Sequence, residues 1–179
     1  MAAARKMTSE TLNALKGWPQ MAAVDFTTEF DSAIVARVPA GSVVHVNDDG
    51  KFALGVGTTP VMPLFTFQAS DDPDVANDDG DPSTEKGVSV PINPTGQVTA
   101  LVAIGAYELV STAYVAGEYD INDPLTSDTG SGADAGKLQV GTLYTDMIVG
   151  FVSRGEVDNG YGQDAVAFWP FPVFPTPGT

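Results

Sequence analysis

The side chains of this chain that could support chemistry are carboxylates, one histidine and a few glycine-containing turns. Asp128-Thr129-Gly130 matches the triplet in which acid proteases pair two carboxylates to activate water. That triplet normally follows a buried apolar strand, whereas here it lies in a polar run at 125–134, Leu-Thr-Ser-Asp-Thr-Gly-Ser-Gly-Ala-Asp. Because Ser, Asp and Gly favour turns, the run predicts a loop. We therefore expect no catalytic role for Asp128.

A second concentration of carboxylates lies in the segment 70–86, where six aspartates surround Gly80. Clustered hard oxygen ligands around a glycine bend are what Ca²⁺ requires. In the helix-loop-helix calcium motif, however, placing Gly80 at the sixth position puts Val75 at the first and Lys86 at the last. The segment therefore predicts a solvated acidic loop with no assigned metal ligand, and an irregular cation site is the alternative.

The remaining candidates also favour structural roles. His45 is the only histidine, and it lies in the apolar run 42–46 with no nucleophile turn elsewhere in the chain. Gly55-Val56-Gly57 lacks the third glycine of a dinucleotide-binding turn, and there is no phosphate-binding Gly-Lys-Ser/Thr loop. We expect no catalytic residue, no cofactor-binding residue and no cofactor, so the protein is predicted not to be an enzyme.

Composition excludes further classes of function. The 179 residues carry a formal net charge of −15, which disfavours sequence-independent contact with nucleic acid phosphates and with anionic membranes. No cysteine is present, so there is no disulfide framework. No apolar run is long enough for a secretory signal or a membrane-spanning helix, and we expect the protein to stay in the cytosol where it is made.

The elements that must position any site are short strands. Runs of β-branched and aromatic residues separated by turn formers predict strands at 24–30, 33–38, 42–47, 51–56, 61–68, 87–92, 97–104, 106–115, 138–144, 146–153 and 164–169. We find no internal repeat in the sequence. The spacing of these runs predicts an all-β fold, either a β-sandwich or jelly roll or a small barrel.

Composition divides the chain into three parts. Residues 1–22 form a basic N-terminal arm, which we expect to be extended and partly helical because Met7, Leu12 and Leu15 share a helical face. Residues 23–170 form the β-domain, with the acidic loop 70–86 as an insertion. Residues 171–179 form a proline-rich tail that must be extended.

The C-terminal half resembles the capsid decoration, or cement, proteins of tailed bacteriophages. The similar segments, within about 98–170, are 107–112, Tyr119, 124–126, 136–138, 144–155, 159–162 and 167–170. They include Tyr-Thr-Asp-Met-Ile-Val-Gly-Phe-Val-Ser-Arg-Gly at 144–155. In the first half, 39–44 and 49–52 are more loosely similar, and the acidic loop departs from the pattern.

The resemblance implies a non-enzymatic structural protein that binds the outside of an assembled phage capsid and stabilises the shell. Its partners would be the major capsid protein and further copies of itself, as a homotrimer or alternatively a homodimer. It would be made in the host bacterial cytoplasm and reside in the virion, on the capsid surface. Alternatives are another virion β-module, of a tail, baseplate or fibre, and a carbohydrate-binding jelly roll.

The expected partner contacts lie near the two ends of the chain. A basic arm can reach an acidic surface, and large aromatic side chains outside the central strands pack on neighbouring subunits. The predicted partner-contacting residues are Arg5, Lys6, Leu12, Leu15, Lys16, Trp18, Phe171 and Phe174.

Overall fold

A computed structural model describes residues 12–16, 25–34, 38–57, 61–66, 97–102, 108–130, 132–158 and 162–175. Within these ranges every regular element is a strand: β1 (Leu12–Lys16), β2 (Asp25–Glu29), β3 (Val43–Val46), β4 (Phe52–Leu54), β5 (Leu64–Thr66), β6 (Gln97–Val102), β7 (Glu108–Ser111), β8 (Pro124–Ser127), β9 (Leu138–Val140), β10 (Gly150–Asp158) and β11 (Asp164–Trp169). The all-β prediction is confirmed for this part of the chain. No described helix has the length and apolarity needed to cross a membrane.

The strands form two antiparallel sheets. One has six strands in the order β1-β7-β11-β10-β8-β9, and the other has five in the order β2-β6-β5-β3-β4. Most neighbours in these sheets are not consecutive in the chain. Sheet formation therefore depends on contacts between distant segments, such as the pairing of β2 with β6.

The two sheets repeat one topology. We call β2–β6 unit 1 and β7–β11 unit 2. When the strands of each unit are numbered along the chain, their order across the sheet is first, fifth, fourth, second, third in both units. β1 is added to the sheet of unit 2, beside β7. In both units an isolated parallel bridge also joins a residue just after the first strand to the third strand. The bridges are Phe30 to Phe52 in unit 1 and Tyr114 to Leu138 in unit 2.

The strand register repeats as well as the strand order. In unit 1 Val44 faces Leu64 and Leu54, and in unit 2 Leu125 faces Gly150 and Val140. The residues of 50–65 correspond to those of 136–151 without a gap. The sequences Gly-Lys-Phe-Ala-Leu-Gly at 50–55 and Gly-Lys-Leu-Gln-Val-Gly at 136–141 are the clearest trace of the repeat. Our reading that the chain has no internal repeat was therefore wrong at the level of the fold.

Hydrogen bonds at the turns follow the same correspondence. Gly55 N donates to Val43 O at 2.8 Å, and the equivalent Gly141 N donates to Pro124 O at 2.8 Å. The turns that lead into β3 and β8 contain Gly41 and Asn122, which both have positive φ, 83° and 74°. Glycine and asparagine are the residues that adopt this conformation at least cost.

Each unit has its own apolar core. The core of unit 1 contains Val44, Phe52 and Leu64 together with Val38, Leu54 and Ala100. The core of unit 2 is larger and includes Leu109, Leu125, Leu138, Met147, Val149, Val152, Val166 and Phe168. Three residues of unit 1, Val43, Val56 and Phe65, belong to this second core, so the two units are packed together through apolar side chains.

The arm and several boundaries differ from the predictions. Residues 12–16 form a strand paired with β7 where we expected a helical turn, because β7 supplies backbone partners that five residues cannot supply as a helix. β8 was missed because the polar run 125–134 predicted a loop, whereas Pro124–Ser127 form a strand that begins at a proline, a position where proline is accepted. Residues 32–33 form a turn, so the strand predicted from residue 33 does not begin there. The predicted strand 87–92 and the acidic loop 70–86 lie outside the described residues.

Candidate interaction surface

The predicted partner contacts are distributed over three places. Arg5, Lys6 and Trp18 lie outside the described residues. Leu12, Leu15 and Lys16 belong to β1, where Leu12 pairs with Ser111 and Lys16 with Glu108. Leu15 falls at the irregularity between Ala14 and Lys16. The structure thus assigns the described part of the arm to the edge of the six-stranded sheet.

Phe171 and Phe174 lie in the C-terminal segment. Both are exposed, with relative solvent accessibilities of 56 % and 42 %. The segment is held extended by Val173, which exchanges two backbone hydrogen bonds of 2.9 Å with Ile148. The extended tail over 171–179 stays a prediction. Phe171 and Phe174 thus lie in a segment that follows β11 and is bridged to Ile148, just before β10.

We call Ala40, Val43, Val56 and Phe65 the inter-unit face, because the last three pack into the core of unit 2 and Gly41, next to Ala40, accepts a hydrogen bond from Ser111. Val43 and Phe65 are paired across β3 and β5, so their side chains lie on the same side of the sheet. All four are buried, and the rings of Phe65 and Phe168 are 5.4 Å apart. Phe65 thus reaches from unit 1 into the core of unit 2.

Polar contacts fix the position of this face on unit 2. Val43 N donates to Gly136 O at 2.7 Å, and Ser111 Oγ donates to Gly41 O at 3.1 Å. Gly55 lies so close to Asp128 that an added Cβ would be 2.0 Å from its carbonyl oxygen. The contact between the units is therefore both apolar and closely fitted.

The strand register identifies the corresponding residues on unit 2. Phe65 corresponds to Phe151, Val43 to Pro124 and Ala40 to Ile121, and the partner of Phe151 on β11 is Trp169. We call Ile121, Pro124, Phe151 and Trp169 the unit 2 outer face. Ile121 is 62 % exposed and Trp169 is 44 % exposed, while Pro124 and Phe151 are half-buried. Val43 and Phe65, which are buried in unit 1, thus correspond to the half-buried Pro124 and Phe151 in unit 2, whereas Val56 corresponds to the exposed, polar Thr142.

An ion pair specific to unit 2 lies at the start of β7. Glu108 is buried and accepts hydrogen bonds from Arg154 Nε at 2.8 Å, from Arg154 Nη2 at 2.5 Å and from Ser153 Oγ at 2.5 Å. The β10 register shift between Val152 and Gly155 places both donors there. Hydrogen bonding to Glu108 raises the pKa of Arg154 above its usual range. This bidentate pair joins β7 to the bulged strand β10, across β11, which lies between them in the sheet.

Two tyrosines pack beside this bulge. Tyr119 donates its hydroxyl to Val115 O at 2.5 Å, and Leu138 O is 3.2 Å away. Burial, with the nearby Tyr114 and Glu156, raises the pKa of Tyr119 to about 12. Burial and Glu156 also raise the pKa of Tyr114. Both groups hold their hydroxyl protons in structural hydrogen bonds.

The residues first considered for chemistry have structural partners. Asp128 and Asp146 line one groove of about 350 Å³. Asp128 Oδ1 accepts from Gln139 Nε2 at 2.6 Å, and Asp146 Oδ2 accepts from Thr142 N at 2.7 Å. His45 Nδ1 is 2.9 Å from Gly55 O, so the ring supports the left-handed turn after β4. In the described ranges, no three histidine or carboxylate side chains group closely enough to share a metal ion.

Sequence reasoning missed the unit 2 outer face because its residues are scattered over three strands and a turn. The usable signal was the Gly-Lys repeat at 50–51 and 136–137, which aligns Phe65 with Phe151. Comparing the chain with family models, with curated proteins and with solved structures finds no match.

Proposed function

We propose that this protein is a non-enzymatic structural protein that decorates the outer surface of a phage capsid and stabilises the shell. Its partners are the major capsid protein and other copies of itself, with a homotrimer favoured over a homodimer. It is made in the bacterial cytoplasm and incorporated into the virion. The proposal rests on the resemblance of 98–170 to cement proteins and on the exposed side chains of Phe171 and Phe174, which follow β11.

The observation that carries the proposal is the position of the similar residues in unit 2. Gly136 and Gly155 have φ of 78° and determine a hairpin end and the β10 bulge. Leu138, Met147 and Phe168 are buried in the core. The resemblance therefore concerns positions that determine how unit 2 folds.

The proposal includes a finer description of the fold. We infer that each unit curls into a small five-stranded barrel, since the Phe30–Phe52 and Tyr114–Leu138 bridges link the first strand of each unit to the third. Closure removes exposed strand edges, which otherwise favour aggregation. Two such barrels packed face to edge make a compact body suited to a capsid surface.

A decoration protein stabilises a shell by mass action, because a ligand that binds only the assembled state favours that state. The acidic body remains soluble at high concentration, while the basic arm offers Arg5, Lys6 and Lys16 to an acidic patch on the shell. Aromatic side chains such as Phe171 supply apolar contact area.

The experiment is sedimentation of the purified protein with purified shells that lack it. We expect saturable co-sedimentation at many copies per head, and shells that resist heat or chelator better when decorated. A variant lacking residues 1–11, which keeps β1, is expected to bind more weakly than the full chain at low salt, and the difference should shrink at high salt because the charges of the arm are then screened. Absence of binding to shells, with binding to tails or baseplates instead, would overturn the proposal.

Exposed aromatic side chains also suit sugar rings, so a carbohydrate-binding module is the second candidate. Trp169 and Phe171 favour it because both are exposed near one another in the chain. Binding on a glycan array that is lost in a Trp169→Ala variant would support this candidate. Retention in the same assay after chelation would exclude a calcium-dependent mode.

A further inference from the structure

A groove of about 350 Å³ lies where unit 1, unit 2 and the C-terminal segment meet, and we call it the junction groove. Unit 1 contributes Val56 and Gly57, the C-terminal segment contributes Pro175, and unit 2 contributes the other described lining residues. Gly57 N donates to Thr129 Oγ1 at 3.0 Å, which joins the two units beside the groove. Binding sites for small groups commonly lie at such junctions between folded units.

The junction groove has two carboxylates and, among its described lining residues, no lysine, arginine or histidine. The carboxylates are those of Asp128 and Asp146. Each is oriented by one neutral donor, since Asp128 Oδ1 accepts from Gln139 Nε2 and Asp146 Oδ2 accepts from Thr142 N. These hydrogen bonds fix the side chains without neutralising them, so the groove offers two oriented negative charges to a cation.

A buried hydroxyl without a partner gives a second, independent indication of a ligand. Ser127, in β8, also lines the junction groove, and it is only 2 % exposed. Its Oγ makes no hydrogen bond within the described structure, whereas the adjacent Thr126 Oγ1 donates to Met147 O at 2.8 Å. A buried hydroxyl normally has a partner, because burial without one costs free energy. A ligand that carries an N–H group supplies such a partner.

Apolar side chains determine which kind of cation the groove suits. Val56 and Met147 line it and are buried, and Val140 adds a side chain that is 46 % exposed. The methylene groups of an organic cation pack on such surfaces, whereas a metal ion gains nothing from them. Over the described ranges, no three carboxylate or histidine side chains are grouped to hold a metal ion.

From these observations we infer that the junction groove binds a primary ammonium group on an aliphatic chain, the end group of a lysine side chain. A guanidinium group pairs best with both oxygens of one carboxylate, and here one oxygen of each aspartate is already engaged. An ammonium group needs only single oxygens, because it is a compact charge with three donors. The inference rests on the proposed function for the source of the lysine, which is the capsid protein. The chemistry of the site is measurable without shells.

The test uses n-butylamine, which has the four-carbon chain and the ammonium group of a lysine side chain. It is titrated into the full chain at low salt while the amide resonances of isotope-labelled protein are followed by NMR. We expect saturable shifts at Gln139 and Thr145, and an affinity lowered about 5-fold in Asp128→Asn and in Asp146→Asn. Asparagine keeps an oxygen for the structural hydrogen bond, so each variant removes mainly the charge.

Ser127→Ala separates a ligand contact from a structural role. Loss of the hydroxyl is expected to lower the affinity for butylamine about 3-fold. It should leave the unfolding free energy of the free protein unchanged or higher, because a buried unpaired group is removed and no hydrogen bond is lost. A lower unfolding free energy together with an unchanged affinity would overturn the inference.

Asp49→Asn is the matched control, because it removes the same charge from an exposed turn of unit 1. It is expected to bind butylamine as wild type does. Tetramethylammonium, which has the charge but no N–H group, is expected not to bind. Absence of saturable butylamine binding at the groove, or equal binding of the two cations, overturns the inference.

Shells distinguish this inference from the proposed function. Asp146→Asn is expected to co-sediment with shells more weakly than wild type and Asp49→Asn do. Unchanged shell binding by Asp146→Asn would overturn the assignment of the lysine to the shell. Butylamine binding by a wild type that does not bind shells would count against the proposed function alone.

Discussion

Unit 1 and unit 2 fold the same way but are stabilised differently. In unit 1 Val43 of β3 and Phe65 of β5 are buried, because unit 2 covers them. The corresponding residues of unit 2 remain half-buried. The stability of unit 2 comes instead from a larger core and from the Glu108–Arg154 ion pair. The comparison teaches that a repeated strand topology does not fix which faces become interfaces. The side chains of each copy decide that.

The largest effect is expected at the closest approach between the units. Gly55→Ala places a Cβ 2.0 Å from the Asp128 carbonyl oxygen, so backbone of one unit must move. Gly50→Ala is the matched control, because Gly50 has a similar φ of 73° and no atom within 4 Å of the added Cβ. We expect a loss of at least about 4 kcal/mol of unfolding free energy for Gly55→Ala and about 1 kcal/mol for Gly50→Ala. Urea denaturation measures both, and equal losses would mean that the units are not closely fitted.

The equivalent phenylalanines give the next largest difference. Phe65→Ala removes a fully buried ring that packs on Phe168, and we expect it to cost about 3–4 kcal/mol. Phe151→Ala removes the half-buried counterpart, for which about 1–2 kcal/mol is expected at concentrations where the chain is monomeric. Thermal and urea unfolding at low concentration compare the two. A larger loss for Phe151→Ala would show that the two faces have been assigned the wrong way round.

The ion pairs of the two units differ in burial and should differ in strength. Arg154→Met leaves the buried Glu108 carboxylate without its bidentate partner, and we expect a loss of about 2 kcal/mol. Lys51→Met removes the exposed pair with Glu29, whose side chains are 41 % and 52 % exposed, and should cost less than about 1 kcal/mol. Denaturation at low and high salt separates them, since the exposed pair is screened. Equal losses would remove this distinction between the units.

The smallest predicted effect concerns pH. The pKa of Tyr119 is raised from 10.0 to about 12 in the folded protein, so the folded state holds this proton more tightly than the unfolded chain. The stability it contributes is complete below pH 10 and is lost as pH rises through 12. Tyr119→Phe should lower the unfolding free energy at neutral pH by about 1 kcal/mol. As pH rises from neutral to alkaline, the unfolding free energy of this variant should fall by less than that of wild type.

Tyr144→Phe is the matched control, because Tyr144 is 64 % exposed. At neutral pH its unfolding free energy should equal that of wild type, since no buried group loses a partner. Parallel pH profiles for wild type and Tyr119→Phe would contradict a structural role for the buried hydroxyl.

Local sequence signals predicted much of the fold. The runs of β-branched residues located most strands, and the residues that connect β3 with β4, Asn47-Asp48-Asp49-Gly50, are ones that favour a tight turn. The pairing order was not predictable in this way, because β2 pairs with β6 and β7 with β11 over long separations. The repeat was hidden because its hairpin loops differ in length, with 47–51 in unit 1 and 128–137 in unit 2.

Of the surface, only the C-terminal aromatic residues were anticipated. Phe171 and Phe174 were predicted as contacts because they are large aromatic residues outside the central strands, and the structure leaves them exposed. Ile121 and Phe151 carried no local signal, because a single apolar residue in a turn or a strand fits a core equally well. Their correspondence to residues of unit 1 becomes visible only when the two units are aligned by the register of their paired strands.

The most direct test uses the absence of cysteine from the chain, which makes single-cysteine variants unambiguous. Phe171→Cys places a thiol at a predicted partner contact that is 56 % exposed, and Asp49→Cys places one in an exposed turn of unit 1. Maleimide labelling rates are measured in dilute protein, in concentrated protein and on decorated shells. The account predicts that position 171 becomes protected on assembly while position 49 stays reactive. Equal labelling of both positions in every state would contradict it.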